Sequence, residues 1–203
     1  MNEIINTVDI NKKSLLHTTA KAGHTNLITV LLQRGFSVHF RDKFLRTPLH
    51  TACQFGRETC ADELIKAGSD IYARYSIGRT CLHYACCSDS VNLVTMLLGT
   101  EPDLVHTRDT YGRTPLHYVV WNGTSAQGEI CMKLLEAKAE VDALDDEGMT
   151  PLHFAADAGK GKIIPILLRH GANPFIRDGR THQTSLELAA TDRIREIIIV
   201  YSG

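Results

Sequence analysis

Thr47-Pro48-Leu49-His50, Thr80-Cys81-Leu82-His83, Thr114-Pro115-Leu116-His117 and Thr150-Pro151-Leu152-His153 are near-copies of one tetrapeptide. A weaker copy, Ser14-Leu15-Leu16-His17, precedes them, and a degenerate one, Thr184-Ser185-Leu186-Glu187, follows. Their first residues fall at 14, 47, 80, 114, 150 and 184, so the steps are 33, 33, 34, 36 and 34. A period of that size marks a chain of stacked supersecondary units, none of which can bury its apolar face alone.

Outward from each anchor the pattern repeats. Small pairs follow it, such as Ala52-Cys53, Ala85-Cys86, Val119-Val120 and Ala155-Ala156, and these let neighbouring helices approach closely. A turn comes next, often at glycine, and then a second amphipathic segment such as Leu27-Ile28-Thr29-Val30-Leu31-Leu32, apolar at helical spacing. That segment stops at Gly35, Gly68 or Gly171 and gives way to a short extended piece. The spacing predicts helices over 14–22, 26–34, 48–55, 58–66, 81–88, 91–98, 115–122, 128–137, 151–158, 161–169, 185–190 and 193–201. Three departures stand out. Ser88-Asp89-Ser90 replaces the turn glycine of the third unit. Gly123 to Gly128 carries about three extra residues, expected to loop out between two helices. Pro165 falls in a second helix, near its start, where a missing N–H is best tolerated.

The period and the Thr-Pro-Leu-His signature resemble the ankyrin-repeat family, over about residues 8–203. The resemblance implies an all-α solenoid of about six helix-turn-helix units with projecting β-hairpin fingers. It is expected to form one domain over 1–203, with repeats at about 8–40, 41–73, 74–107, 108–143, 144–176 and 177–203. It also implies a non-enzymatic module that binds a segment of another protein in a concave groove of finger tips and first helices. The alternatives are a regulatory segment of a larger enzyme, channel or ubiquitin-ligase adaptor, a Cys/His enzyme, and a basic-strip binder of nucleic acid or lipid.

Composition narrows these choices. With 43% hydrophobic and 22% charged residues the chain is globular in character, and a net charge of −1 argues against a general nucleic-acid binder. No stretch reaches the roughly 18 apolar residues of a membrane span, and residues 1–14 lack the apolar core of a secretory signal. The cysteines at 53, 60, 81, 86, 87 and 131 form no CxxC pair, so free thiols and a cytoplasmic or nuclear location are expected.

Neither the ten histidines nor the cysteines point to catalysis or a metal. The anchor histidines 17, 50, 83, 117 and 153 repeat one layer apart, roughly 10 Å. That is too far to share a metal with bonds of about 2 Å. In the family this histidine bonds backbone across the repeat junction. Cys81 replaces the anchor proline, and Cys53 and Cys86 fill small packing slots, so a structural role is expected of them. No cofactor is expected. The finger slot where many family members carry an asparagine that can be hydroxylated holds His39, Tyr72, His106, Asp142 and Phe175.

The anchors also set a register for the partner surface. Arg41, Arg74 and Arg108 stand six before an anchor, Arg46, Arg79 and Arg113 one before, and Phe44, Ile77 and Tyr111 between them. Phe55, Trp121 and Asn122 occupy groove-facing slots of the first helices. Arginine and aromatic side chains dominate interface hot spots. The expected partner is therefore an acidic segment with at least one bulky apolar residue. Beyond the third arginine pair the sign changes, with Asp145-Asp146-Glu147 and Asp157. At the C-terminus, Ile194, Ile197, Ile198 and Tyr201 are expected to face the preceding unit. Ile199 and Val200 then point away, as if the chain continued or met another surface.

Overall fold

A computed structural model describes residues 8–122 and 125–202. The chain divides into two compact units, one up to Leu104 and the other from Val105. The first holds α1 (Leu15–Ala22), α2 (Thr25–Gln33), α3 (Pro48–Gln54), α4 (Glu58–Lys66), α5 (Cys81–Ala85) and α6 (Val91–Thr100). The second holds α7 (Pro115–Trp121), α8 (Gln127–Glu136), α9 (Pro151–Asp157), α10 (Ile164–Arg169) and α11 (Asp192–Ser202). In the first unit α1, α3 and α5 stack in series, and α2, α4 and α6 form a second row. In the second, α7 packs on α9, and α8, α10 and α11 follow one another. The fold class is all-α.

The tetrapeptide is a helix start, which explains its residues. Thr47 is extended (φ −91°, ψ 167°) and its hydroxyl accepts from the His50 N–H. The histidine reaches back, its Nδ1 accepting the N-cap residue's own backbone N–H at 3.1–3.2 Å in all five copies. This is the reciprocal logic of a capping box, with histidine as the returning side chain. Proline fits the first helical position because its missing N–H would have no helical partner. The anchor leucines 16, 49, 82, 116 and 152 are fully buried, each stabilising the stack by roughly 1.5–3 kcal/mol.

Because Nδ1 accepts an N–H, the neutral ring carries its proton on Nε2. From there His17 donates to Arg46 O at 2.9 Å, His117 to Met149 O at 3.2 Å and His153 to Ile176 O at 3.0 Å. The first two are the expected bonds to the next repeat's backbone, and His153 Nε2 also lies 3.3 Å from Gln183 O of the next repeat. His50 departs from the pattern: its Nε2 is buried with no acceptor in hydrogen-bonding geometry.

The fingers are turns rather than full hairpins. Asp42 Oδ1 accepts from the N–H groups of Phe44 and Arg46 at 2.9 and 3.0 Å, and Asp109 and Asp145 repeat the arrangement. A backbone bond closes each, such as Asp42 N to Arg46 O at 2.9 Å. Successive tips are then stitched by one bond: Ser76 N to Phe44 O, Asp146 N to Tyr111 O, and Gly179 N to Glu147 O at 2.8 Å. Among the described residues only isolated bridges form, Val8 to Ser14 and Arg177 to Thr184, so the expected β ladders are absent there.

Other boundaries differ for local reasons. No helix forms at 185–190. Glu187 takes the histidine's place and accepts the Thr184 N–H, but it is also drawn to Arg177 at 3.2 Å. The chain makes a single helical turn, and Ala190 N then bonds Ala156 O instead of continuing it. α5 stops at Ala85, whose carbonyl is taken by the Ser88 hydroxyl at 2.7 Å, while Ser90 caps α6 through Leu93 N. α10 starts at Ile164, not 161, with Pro165 in its first turn. Of the extra segment, residues 123 and 124 lie outside the described residues, and Gln127 and Gly128 belong to α8. A 3-10 turn at Pro102–His106, not expected from the repeat, buries Leu104 and Val105. In α11, Ile194 and Ile198 are buried and Ile197 half-buried. Ile199 and Val200 are exposed as expected, whereas Tyr201 is more open and lies under Arg169 at 5.0 Å.

Candidate protein-interaction surface

In the first unit, Phe44 stands on a finger tip and Phe55 at the end of α3, and both are exposed. Each is attended by cations. Arg46 and Lys43 lie 5.0 and 4.9 Å from the Phe44 ring, and Lys21 lies 5.2 Å from the Phe55 ring. Arg46 also grips the buried Asp42 through Nη2 at 2.7 Å and Nε at 2.8 Å. Burial alone would raise the Asp42 carboxyl, but Arg46 and the finger amides hold it below the usual carboxylate range. Arg41 Nη1 donates to Arg74 O, and Arg74 Nη1 to Gly78 O. Ile77 and Arg79 are half-buried.

In the second unit, Arg113 is the hub. Its guanidinium lies 5.4 Å from the Tyr111 ring, 4.9 Å from Trp121 and 5.2 Å from Phe154, and its Nε donates to the buried Asp145 at 3.2 Å. Trp121 and Phe154 are 5.8 Å apart. The indole is thus positioned from beneath while 54% of the residue stays exposed. Preorganised aromatic surface of this kind binds with little ordering cost. Arg108 donates to Gly112 O and Leu144 O and pairs with Glu140 at 3.0 Å. Asn122 is half-buried and donates back to Tyr118 O at 3.2 Å.

Within the fingers, Arg46, Arg108 and Arg113 hold rings, carbonyls and carboxylates of the chain itself. Sequence reasoning passed over Asp42, Asp109, Phe154 and two lysines, and it read Asp145 only as a surface acid. The signal was present: Asp42, Asp109 and Asp145 share the column five before the anchor. Lys13 and Lys21 begin the columns that continue as Arg46, Arg79, Arg113 and as Gln54, Cys87, Trp121.

The six cysteines are free thiols, and all but Cys87 are buried. Burial pushes the thiols of Cys87 and Cys131 up to about 11 and about 12, so both are protonated at neutral pH. Among the described residues, no group of three histidine, cysteine or carboxylate side chains is placed to hold a metal ion. Nor is any helix among them long and apolar enough to cross a membrane.

Capped helix pairs, stitched fingers and an exposed aromatic surface define a repeat-built binding module. The family model for ankyrin repeats (3 copies) matches residues 1–75 and 73–127, and that for ankyrin repeats (many copies) matches 134–189. The chain belongs to the ankyrin-repeat family, whose members are protein–protein interaction modules. It is 33% identical over 87 residues to ankyrin repeat domain-containing protein 13B of Homo sapiens, covering 43% of this chain and 13% of that protein. It is 33% identical over 92 residues to the nuclear factor NF-kappa-B p105 subunit of Mus musculus, covering 45% of this chain and 9% of that one. The chain therefore spans only a small part of the curated relatives it matches. Among solved structures, the ankyrin repeat domain of Bcl-3, a member of the IkappaB protein family, superposes with a TM-score of 0.81 at 26% identity. That match covers 96% of this chain and 86% of the other.

Proposed function

We propose that the six repeats act as one binding domain, in the cytoplasm or nucleus and without catalysis. The domain captures an acidic and apolar segment of another protein on its finger tips and first helices. The observation that carries this is Trp121, a half-exposed indole on a rigid bed of Arg113 and Phe154. Phe44 and Phe55 offer the first unit's apolar contacts, and Tyr111 adds to those of the second. Arg41, Arg74, Ile77, Arg79, Arg108 and Asn122 complete the proposed surface. A regulatory role within a larger enzyme or channel is the second reading. The partial matches to a serine/threonine-protein kinase and a potassium channel of Arabidopsis thaliana favour it, and chain mass in the native source tests it.

The primary reading is tested with a peptide selected by display on the full chain. Trp121→Ala is expected to weaken it about thirtyfold, the effect of a hot spot worth ~2 kcal/mol. Asp146→Lys, on an exposed acidic finger tip, should change affinity much less. Charge reversal at Arg113 is avoided because it would strand the buried Asp145. Unchanged affinity in Trp121→Ala would refute the assignment.

A further inference from the structure

We propose that a cleft at the start of the chain, between α1, α3 and the finger that joins their repeats, is a pocket for a carboxylate side chain of the partner protein. The proposal deepens the reading above and rests on it. The cleft has a volume of ≈ 120 Å³, well below the roughly 300–1,000 Å³ of a small-molecule site. That is room for one acidic side chain and too little for a nucleotide or cofactor. Lys13, Lys21 and Arg46 line it, with Thr18, Gln54 and Phe55 between them.

Charge selects the occupant. Residues 8–57 hold eight lysines and arginines against two aspartates, although the whole chain has a net charge of −1. Asp42 is already held by Arg46. Asp9 accepts the Lys13 backbone N–H and feels its charge, but among the described residues no carboxylate oxygen comes within 4 Å of the Lys13 or Lys21 ammonium. Lys21 lies over the Phe55 ring, so the wall that would receive the methylene stem of a glutamate is apolar and the rim is cationic. Phosphate is favoured by a free, planar arginine fork. Here two donors of that fork are spent on Asp42, which leaves two ammonium groups as point charges suited to a carboxylate.

Register gives the pocket a direction. The column one before the anchor reads Lys13, Arg46, Arg79, Arg113, Met149, and the column seven after reads Lys21, Gln54, Cys87, Trp121, Asp157. Cations open both columns, and the fifth repeat has a neutral residue in one and an acid in the other. The acidic end of the partner is therefore assigned to the first two repeats.

The test uses the full chain and a fluorescent twelve-residue peptide alternating glutamate with leucine and phenylalanine. Lys13→Glu combined with Lys21→Glu should weaken binding about tenfold. Lys160→Glu with Lys162→Glu, the same charge change in the second unit, should stay within about twofold. Equal effects of the two pairs, or no binding by the unaltered chain, overturn the pocket. So does tighter binding of a phosphoserine version of the peptide, or lysine-dependent capture by phosphatidylserine vesicles in its place. If the lysine variants bind normally while Trp121→Ala fails, the pocket falls and the broader function stands.

Discussion

Between pH 6.5 and about 4 the folded chain is expected to lose on the order of 6 kcal/mol of stability, from two histidines alone. His50 and His117 are almost completely buried, and desolvation lowers both from 6.5 to about 4 despite backbone carbonyls nearby. Protonation would also turn Nδ1 from acceptor to donor, facing the N-cap N–H it now accepts. Each depression corresponds to about 3 kcal/mol. Above pH 6.5 both states are neutral and stability is full. As pH falls through the window the unfolded chain takes up protons that the folded chain refuses, so stability drops. Below about 4 both are protonated and the loss is complete. The total is comparable to the ~5–15 kcal/mol stability of a typical domain, so the chain is expected to unfold at lower denaturant as pH falls from 6.5 toward about 4. Urea titrations at pH 7, 6 and 5 check this, and His117→Gln should flatten the slope. A midpoint that does not move between pH 6.5 and 5 would contradict the histidine account.

Gly148→Ala should cost about 3 kcal/mol, and Gly171→Ala only about 1. Both glycines are left-handed, at φ +73° and +88°, so both substitutions carry the same backbone strain. They differ in surroundings. A Cβ on Gly148 would sit 2.5 Å from the backbone nitrogen of Gly179, whereas one on Gly171 meets nothing within 4 Å. That nitrogen donates the stitch to Glu147 O, so the clash can be relieved only by opening the bond between two fingers. Thermal or urea unfolding of the two variants separates strain from stitching, and equal losses would show that the fingers are not held tip to tip.

Repeat number, anchor positions and most helices were legible because the tetrapeptide encodes its own cap: Thr and His satisfy each other's backbone within four residues. What escaped depends on partners distant in sequence. The sixth unit's first helix is lost because Ala190 bonds Ala156 and Glu187 meets Arg177. The arginine columns were visible, but their engagement was not. Nothing in the sequence shows that Arg113 turns inward to Asp145 and three aromatic rings, while Lys21, in a column already marked at Trp121, stays at the surface. Register finds a position; only packing decides whether its side chain faces a partner or the protein itself.

The central claim is that a partner lies on the finger tips and first helices. Backbone amide shifts of the isotopically labelled full chain, recorded while the selected peptide is added, test it most directly. The account predicts changes at Phe44, Phe55, Tyr111 and the end of α7, with Val30 on α2 and Met132 on α8 unmoved. Changes confined to the second helices, with the Trp121 indole signal unaltered, would contradict it.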